Sequence, residues 1–336
     1  IIINGAMMIA QRGTSATTNG FGTVDRFQVA YSGTDESPTQ AQVDVSSGTD
    51  PYTEGFRKAF KITNGNQTSG AGAGDYITFT YKPEARDISN SGWNYTSTSS
   101  FITLSFWVKS SVAQTFQAAI TSKDGTSQGF VFEFALSADT WTKVVKTIPG
   151  NSNLTFDNDG GAGAEINLIP FIGTTYTSAS PTLNAWGAYS GSTSRKDMTS
   201  TWYTTNDATF EVTGMQLEVG PQATAFEFRT KTEELQLCKR YYQYESPRYM
   251  AAQYLGVSNE VAAQYVPFSV EMRATPTATY GSLVLRENAG SFAACSLTSN
   301  ASLTSKGQNF VVGFSGAEVG DSYIVYGNEI AYDAEH

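Results

Sequence analysis

The sequence predicts an all-β protein: a jelly-roll β-sandwich followed by one linking α-helix and a smaller C-terminal β domain. Composition comes first. The 336 residues are rich in Gly (31), Tyr (18) and Phe (20), with abundant Ser and Thr and only 15% charged side chains. That mix favours pleated strands and turns over helices. Apolar and polar residues also alternate with a period of two in several runs. Those runs recur over the first two-thirds of the chain between loops of Gly, Asn and Asp, a spacing that suits two packed sheets.

Taken in order, an N-terminal arm (1–25) leads into the sandwich (26–229). The Gly-rich run Ser69–Gly74 has no helix pattern after it, so it reads as a loop and not as a phosphate cradle. In Asp75–Lys82, Ile77, Phe79 and Tyr81 share one face, and Tyr76, Thr78 and Thr80 the other. In Phe101–Lys109, Ile102, Leu104, Phe106 and Val108 alternate with Thr103, Ser105, Trp107 and Lys109. Gly129–Leu136 aligns Phe130, Phe132, Phe134 and Leu136, the strongest core pattern in the chain. Burying each such ring is worth about 1.5–3 kcal/mol. Thr140–Ile148 and Glu165–Phe171 read as further strands.

Ala208–Val219 changes phase. Phe210 and Val212 have one parity, and Met215, Leu217 and Val219 the other. A β-bulge at Gly214 would return both sets to the buried face. The linking helix (230–245) starts at a capping box, Thr230 and Glu233. It is expected over about Thr232–Tyr244, with Leu235, Cys238 and Tyr242 on one side. In the C-terminal domain (246–336), strands are expected at Val266–Met272, Ser282–Arg286, Phe310–Phe314 and Ser322–Val325. Pro247, Pro267 and Pro276 would sit at strand starts or turns.

Charge and residue counts remove several functions. Lys+Arg 21 against Asp+Glu 31 gives a net charge of −10, and no basic stretch exceeds Arg195-Lys196 or Lys239-Arg240, which argues against nucleic acid as partner. No apolar run is long enough for membrane insertion as a helix. Ile1–Ile9 is too short and too poorly flanked for a signal peptide, and a start at Ile points to a processed or truncated terminus. The single histidine is the terminal His336, so a Ser-His-Asp site lacks its base and a His-ligated zinc its ligands. Cys238 and Cys295 could form one bridge, but free buried thiols are the expectation, since disulfide frameworks belong to short Cys-dense chains. Sequons at Asn66, Asn94, Asn153 and Asn300 are what a chain rich in Asn, Ser and Thr contains by chance. No cofactor is implied.

Sugar binding needs flat aromatic faces with hydrogen-bonding groups beside them. The candidate platforms are Trp93 with Tyr95, Trp186 with Tyr189, and Trp202 with Tyr203, all in Ser-, Gly- and Asn-rich segments; the competing reading is that these aromatics pack under their own loops or at a subunit interface. Trp186–Tyr203 is the richest stretch, because Arg195 and Asp197 interleave with its rings. Asp157-Asn158-Asp159-Gly160 fails the EF-hand spacing and reads as a turn, with Asp157, Asp159 and Glu165 as the one weak metal candidate. Trp107 and Trp141 sit on strand-like runs and are assigned to packing.

Three stretches carry a family pattern. The first comprises Asn4-Gly5, Gln11-Arg12-Gly13-Thr14-Ser15 and Asp25-Arg26-Phe27. The second is Gly214-Met215-Gln216-Leu217-Glu218-Val219-Gly220 with Ala223-Thr224, Phe226-Glu227 and Arg229, running on into Glu233–Gln243. The third is Pro267-Phe268, Met272–Thr277 and the terminal Asp333-Ala334-Glu335. In this order they resemble bacteriophage tail-fibre and related virion-fibre proteins of the type found in phages of marine bacteria. The resemblance implies a carbohydrate-binding-module-like jelly roll, a C-terminal β domain and assembly as a homotrimer. It further implies partners among other virion proteins, location on the virion at the tail or the capsid surface, and non-catalytic attachment to a host cell-surface glycan. A polysaccharide depolymerase is the alternative from another functional class.

Overall fold

The structure is a computed structural model. It describes residues 1–245, 248–255, 260–263, 265–287, 290, 293–298, 301–314, 323–327 and 329–336. Pro247, Asn300 and Ser322, named above, lie outside the described residues. The chain divides into two units, residues 1–234 with His336, and residues 235–335.

The first unit is a sandwich of two six-stranded antiparallel sheets. Its strands are β1 (Ser15–Ala16), β2 (Phe27–Ser32), β3 (Thr39–Asp44), β4 (Lys58–Thr63), β5 (Tyr76–Tyr81), β6 (Phe101–Ser110) and β7 (Gln114–Ser122). They continue as β8 (Gln128–Leu136), β9 (Thr142–Pro149), β10 (Ala164–Ile172), β11 (Thr177–Ser178), β12 (Trp186–Ala188), β13 (Arg195–Lys196) and β14 (Thr209–Val219). One sheet runs β1-β3-β4-β14-β6-β9 and the other β12-β8-β7-β10-β5-β2. The two short strands β11 and β13 pair in parallel outside both sheets.

The core between the sheets is filled by the side chains that the period of two selects. Ile77, Phe79 and Tyr81 are buried in it, as are Ile102, Leu104, Phe106 and Val108 from the opposite sheet. The row Phe130, Phe132, Phe134 and Leu136 lies in the same cluster. The bulge predicted at Gly214 is present. Against β6, Thr213 pairs with Trp107 and Gln216 with Ser105, so one extra residue is inserted, and Gly214 has φ +62°. Phe210, Val212, Met215 and Leu217 are all buried as a result, while Val219, at the strand end, is 43% exposed.

A second register shift lies outside the sequence expectations. Between Leu168 and Phe171 on β10 the pairing with β5 slips, where Pro170 has no amide hydrogen for the ladder, and Phe171 returns to the core. The outer face of the β6 sheet is also covered. Trp107 packs there with Ala6, Val45, Phe56 and Ala59, with Trp141 and Phe226 alongside.

The N-terminal arm is tied into this unit by its motif residues. Asn4 Nδ2 donates to the carbonyls of Ile9 and Asp25, both at 2.9 Å, and Ile9 N donates back to Asn4 Oδ1 at 2.9 Å. Gln11 N donates to Asp25 Oδ1 at 2.9 Å. Arg26 is buried with its guanidinium over the Tyr81 ring and donates to the Lys82 carbonyl at 2.7 Å.

The helix is shorter than expected, Lys231–Lys239. Its capping box is formed: Thr230 N donates to Glu233 Oε2 at 2.8 Å, and Glu233 N to Thr230 Oγ1 at 3.3 Å. It stops early because Tyr242–Glu245, rich in aromatic side chains, pairs as a strand with Ile330–Asp333. No described helix is long and apolar enough to cross a membrane.

In the second unit a seven-stranded antiparallel sheet includes Tyr323–Gly327, flanked by Arg248–Tyr254 and Leu283–Glu287. Val266–Pro267 and Val311–Gly313 are strands as well, while Phe268 and Met272 are buried outside any strand. The core there holds Met250, Val261, Leu285, Phe310, Val312 and Val325. The two cysteines are not bridged to each other; Cys238 is buried and Cys295 half-buried.

Candidate functional site

The parity that sends Ile77, Phe79 and Tyr81 inward sends Tyr76, Thr78 and Thr80 to the outer face of their sheet. Register then assembles a polar row across three strands. Gln28 on β2 pairs with Thr80 on β5, and Thr80 with Asn167 on β10. Asn167 Nδ2 donates to Thr80 Oγ1 at 2.8 Å and to Glu165 Oε1 at 3.1 Å. Lys123 Nζ closes the row against Glu165 Oε2 at 2.8 Å.

A second layer covers the neighbouring part of this face. Gln117 on β7 grips the backbone of β13: its Nε2 donates to the Lys196 carbonyl at 2.6 Å, and Lys196 N donates to its Oε1 at 2.9 Å. Lys196 Nζ also pairs with Glu133 Oε2 at 3.0 Å. Ala119, Gln117, Thr121 and Val131 are therefore buried. Where the cover ends, a groove of about 410 Å³ opens over β2, β5 and β10. Its floor includes Gln28, Thr78, Thr80, Glu165 and Asn167. Its borders are Tyr76 and Tyr176, which meet edge-on at 5.6 Å between ring centroids, and Tyr189 with Arg195 on the covering layer. Lys82 stands at one end.

The electrostatics are asymmetric. Burial alone would raise the Glu165 pKa, but the hydrogen bond and charge of Lys123, with Asn167, hold it below the ordinary carboxylate range. Arg195 is 7% exposed, and burial lowers its pKa. Its guanidinium lies 5.4 Å from the Tyr189 ring centroid, a cation–π arrangement.

The candidate residues separate into three groups. Tyr189 and Arg195 line the groove. Asp197 is exposed and accepts a hydrogen bond from Thr177 Oγ1, so it fastens the β11–β13 pair. Trp186 is committed to packing: its indole meets Phe130 at 5.5 Å and its Nε1 donates to the Pro149 carbonyl at 2.7 Å.

Trp202 and Tyr203 correct the loop assignment outright. Both are 0% exposed, on a one-turn helix Thr201–Thr204 tucked against the core. Trp202 Nε1 donates to the Thr209 carbonyl at 3.0 Å. Tyr203 stacks on Phe171 at 4.4 Å, and its hydroxyl donates to Asp75 Oδ2 at 3.1 Å. Neither ring has a face left for a ligand. Trp93 is also buried, packed with Tyr95 and Phe156, and donates from Nε1 to the Ser100 carbonyl.

The weak metal candidate separates as well. Glu165 belongs to the groove and to Lys123, whereas Asp159 shapes its own turn by accepting from Gly161 N at 2.8 Å. Asp157 N donates to Asp124 Oδ2 at 3.0 Å. Among the described residues no three His, Cys, Asp or Glu side chains are grouped to hold a metal ion.

Loop-based reasoning misses Gln28, Tyr76, Thr78, Thr80, Asn167 and Tyr176. For three of them the pattern is in plain view, since Tyr76, Thr78 and Thr80 occupy the parity opposite the core. A strand that spends its outward positions on Tyr and Thr presents a surface suited to hydroxyl-rich ligands.

No family model and no curated protein matches the sequence. Among solved structures the neighbours include carbohydrate-binding modules. A CBM4 structure has 14% identity and TM-score 0.33, over 66% of this chain and 100% of that one. The N-terminal cellulose-binding domain from Cellulomonas fimi β-1,4-glucanase C has 11% identity and TM-score 0.30, over 64% and 99%. The tandem CBM22-1–CBM22-2 domain from Paenibacillus barcinonensis Xyn10C has 8% identity and TM-score 0.28, over 98% and 96%. At these scores the likenesses carry no argument about a ligand for this chain.

Proposed function

We propose that the chain is a non-catalytic glycan-binding protein whose ligand lies in the groove over β2, β5 and β10. One observation carries this reading: three tyrosines border a floor of hydroxyl, amide and charged groups on a rigid sheet face. Aromatic rings take the apolar faces of a pyranose, and Gln28, Thr80, Asn167 and Arg195 offer hydrogen bonds to its substituents. The electrostatics weigh against hydrolysis. Glycosidases work with two carboxylates, one of them with a raised pKa. Among the residues lining the groove Glu165 is the one carboxylate, and Lys123 holds it ionised.

On the strength of the sequence resemblance, the chain is a homotrimeric fibre protein of a bacteriophage virion. It sits on the tail, or alternatively on the capsid, and mediates adsorption to the host surface. Weak single sites suffice there, because linked sites raise overall affinity by roughly 10²–10⁴. Light scattering tests the trimer, and labelled antibody on intact particles tests the location.

The site itself is tested by calorimetric titration with soluble host polysaccharides, using Tyr76→Ala and Tyr189→Ala. Losing about 60 Å² of ring contact is worth about 1.5 kcal/mol, so each variant should bind about tenfold more weakly. Unchanged affinity in both variants removes the groove as the site. Release of reducing ends during incubation would overturn the non-catalytic reading in favour of a depolymerase.

A further inference from the structure

The burial of Arg195 is offset only in part, by the Tyr189 ring over its guanidinium and by the charge of Glu165. Its side chain is more than nine-tenths buried, and its Nη1 is shielded from water with no hydrogen-bond partner. The Nη2 contact to Thr121 Oγ1 is long, 3.4 Å. No carboxylate of the described residues lies within 4 Å of the guanidinium, and the nearby Glu165 is engaged by Lys123. A buried cation with unmet donors is destabilising, and a planar guanidinium is shaped to take two oxygens of one anion.

The surroundings point the same way. Lys82, half-buried at the end of the groove, donates among the described residues to the His336 carbonyl, at a long 3.4 Å. With Glu165 neutralised by Lys123, the groove is locally cationic in a chain whose net charge is −10. Over Arg195 lies Tyr189, a residue 40% exposed and outside the buried core.

We infer that the groove selects acidic polysaccharide, with a carboxylate or sulfate ester of one sugar seated on the Arg195 guanidinium beneath Tyr189. This rests on the reading of the groove as a glycan site and adds the charge of the sugar.

The test compares the full chain with Arg195→Gln, Arg195→Lys and Lys82→Gln in affinity electrophoresis and titration calorimetry. The probes are polygalacturonate, dextran sulfate, and neutral dextran and galactan. The parent should bind one or both acidic polymers, more weakly as salt rises, and bind the neutral ones at least about tenfold less tightly. Which acidic polymer binds separates carboxylate from sulfate. Arg195→Gln should lose roughly tenfold to a hundredfold in affinity for the acidic polymer. Arg195→Lys should retain part of it, and Lys82→Gln should lose less than Arg195→Gln. Because a buried unpaired cation is removed, Arg195→Gln without ligand should melt no lower than the parent, which separates lost binding from lost folding. If the parent binds neutral polymers as tightly as acidic ones through Tyr76, the inference fails and the groove reading stands. The inference fails in the same way if Arg195→Gln keeps its acidic affinity. If the parent binds none of the four polymers, both fall.

Discussion

Gly214→Ala is the sharpest perturbation of the sandwich. The bulge holds residue 214 at φ +62°, where a side chain costs about 1–2 kcal/mol in backbone strain. An added Cβ would also lie 2.6 Å from Phe56 Cζ and 3.0 Å from its Cε2. The Phe56 ring has nowhere to retreat. It is buried, with Phe226 edge-on at 4.9 Å and Phe228 at 5.1 Å. Overpacking of this kind adds about 1–3 kcal/mol. The total, about 2–5 kcal/mol, corresponds to a fall of about 5–15 °C in the melting temperature of a unit this size. Calorimetric melting of parent and variant measures it. Gly48→Ala serves as the comparison, because Gly48 has φ +83° and nothing within 4 Å of an added Cβ. It should show the backbone component alone. Equal melting of Gly214→Ala and the parent would refute the reasoning, and equal falls in the two variants would refute the steric half of it.

Two more outcomes are expected. Glu165 titrates below its unfolded value, so the stabilisation from Lys123 is complete above the ordinary carboxylate pKa of about 4.3 and disappears as pH falls through the lower folded value. Glu165→Gln should therefore lower the urea midpoint at pH 7, and the gap should narrow as pH falls below the ordinary carboxylate range; a gap that persists undiminished in acid would show that the side chain's packing, not its charge, matters. Burial pushes the Cys295 thiol up to about 11, leaving on the order of 0.1% thiolate at about pH 8. Alkylation of the native protein at that pH should be at least about a hundredfold slower than in urea, and rapid native labelling of Cys295, read by mass spectrometry, would contradict its environment.

The interior is legible because it is written locally. Phe130, Phe132 and Phe134 declare a face without help from any other strand, and the phase change around Gly214 needs only twelve or so neighbours to be read. The capping box at Thr230 is similarly short-range. Trp202 and Tyr203 defeat the same approach, since what buries them is distant. Asn64 donates to the Tyr203 carbonyl, and Trp202 N donates to Gln114 Oε1, across 139 and 88 residues. Their own neighbours, Ser, Thr and Asn, spell a loop. The groove is half-legible: Tyr76, Thr78 and Thr80 can be placed on an outward face, but Arg195 reaches that face because Gln117 anchors β13 there, and Tyr189 because β12 pairs with β8 and Tyr189 N donates to the Ser127 carbonyl.

Strand β5 has a consequence for how such a protein can diverge. Its first four residues serve two masters in alternation, one pair answering to the fold and the other to whatever touches the outside, while Thr80 is buried and bonded to Asn167. Codons 76 and 78 can therefore drift toward a new surface chemistry while 77, 79, 80 and 81 stand still, and a lineage facing altered targets can retune its grip without passing through unfolded intermediates.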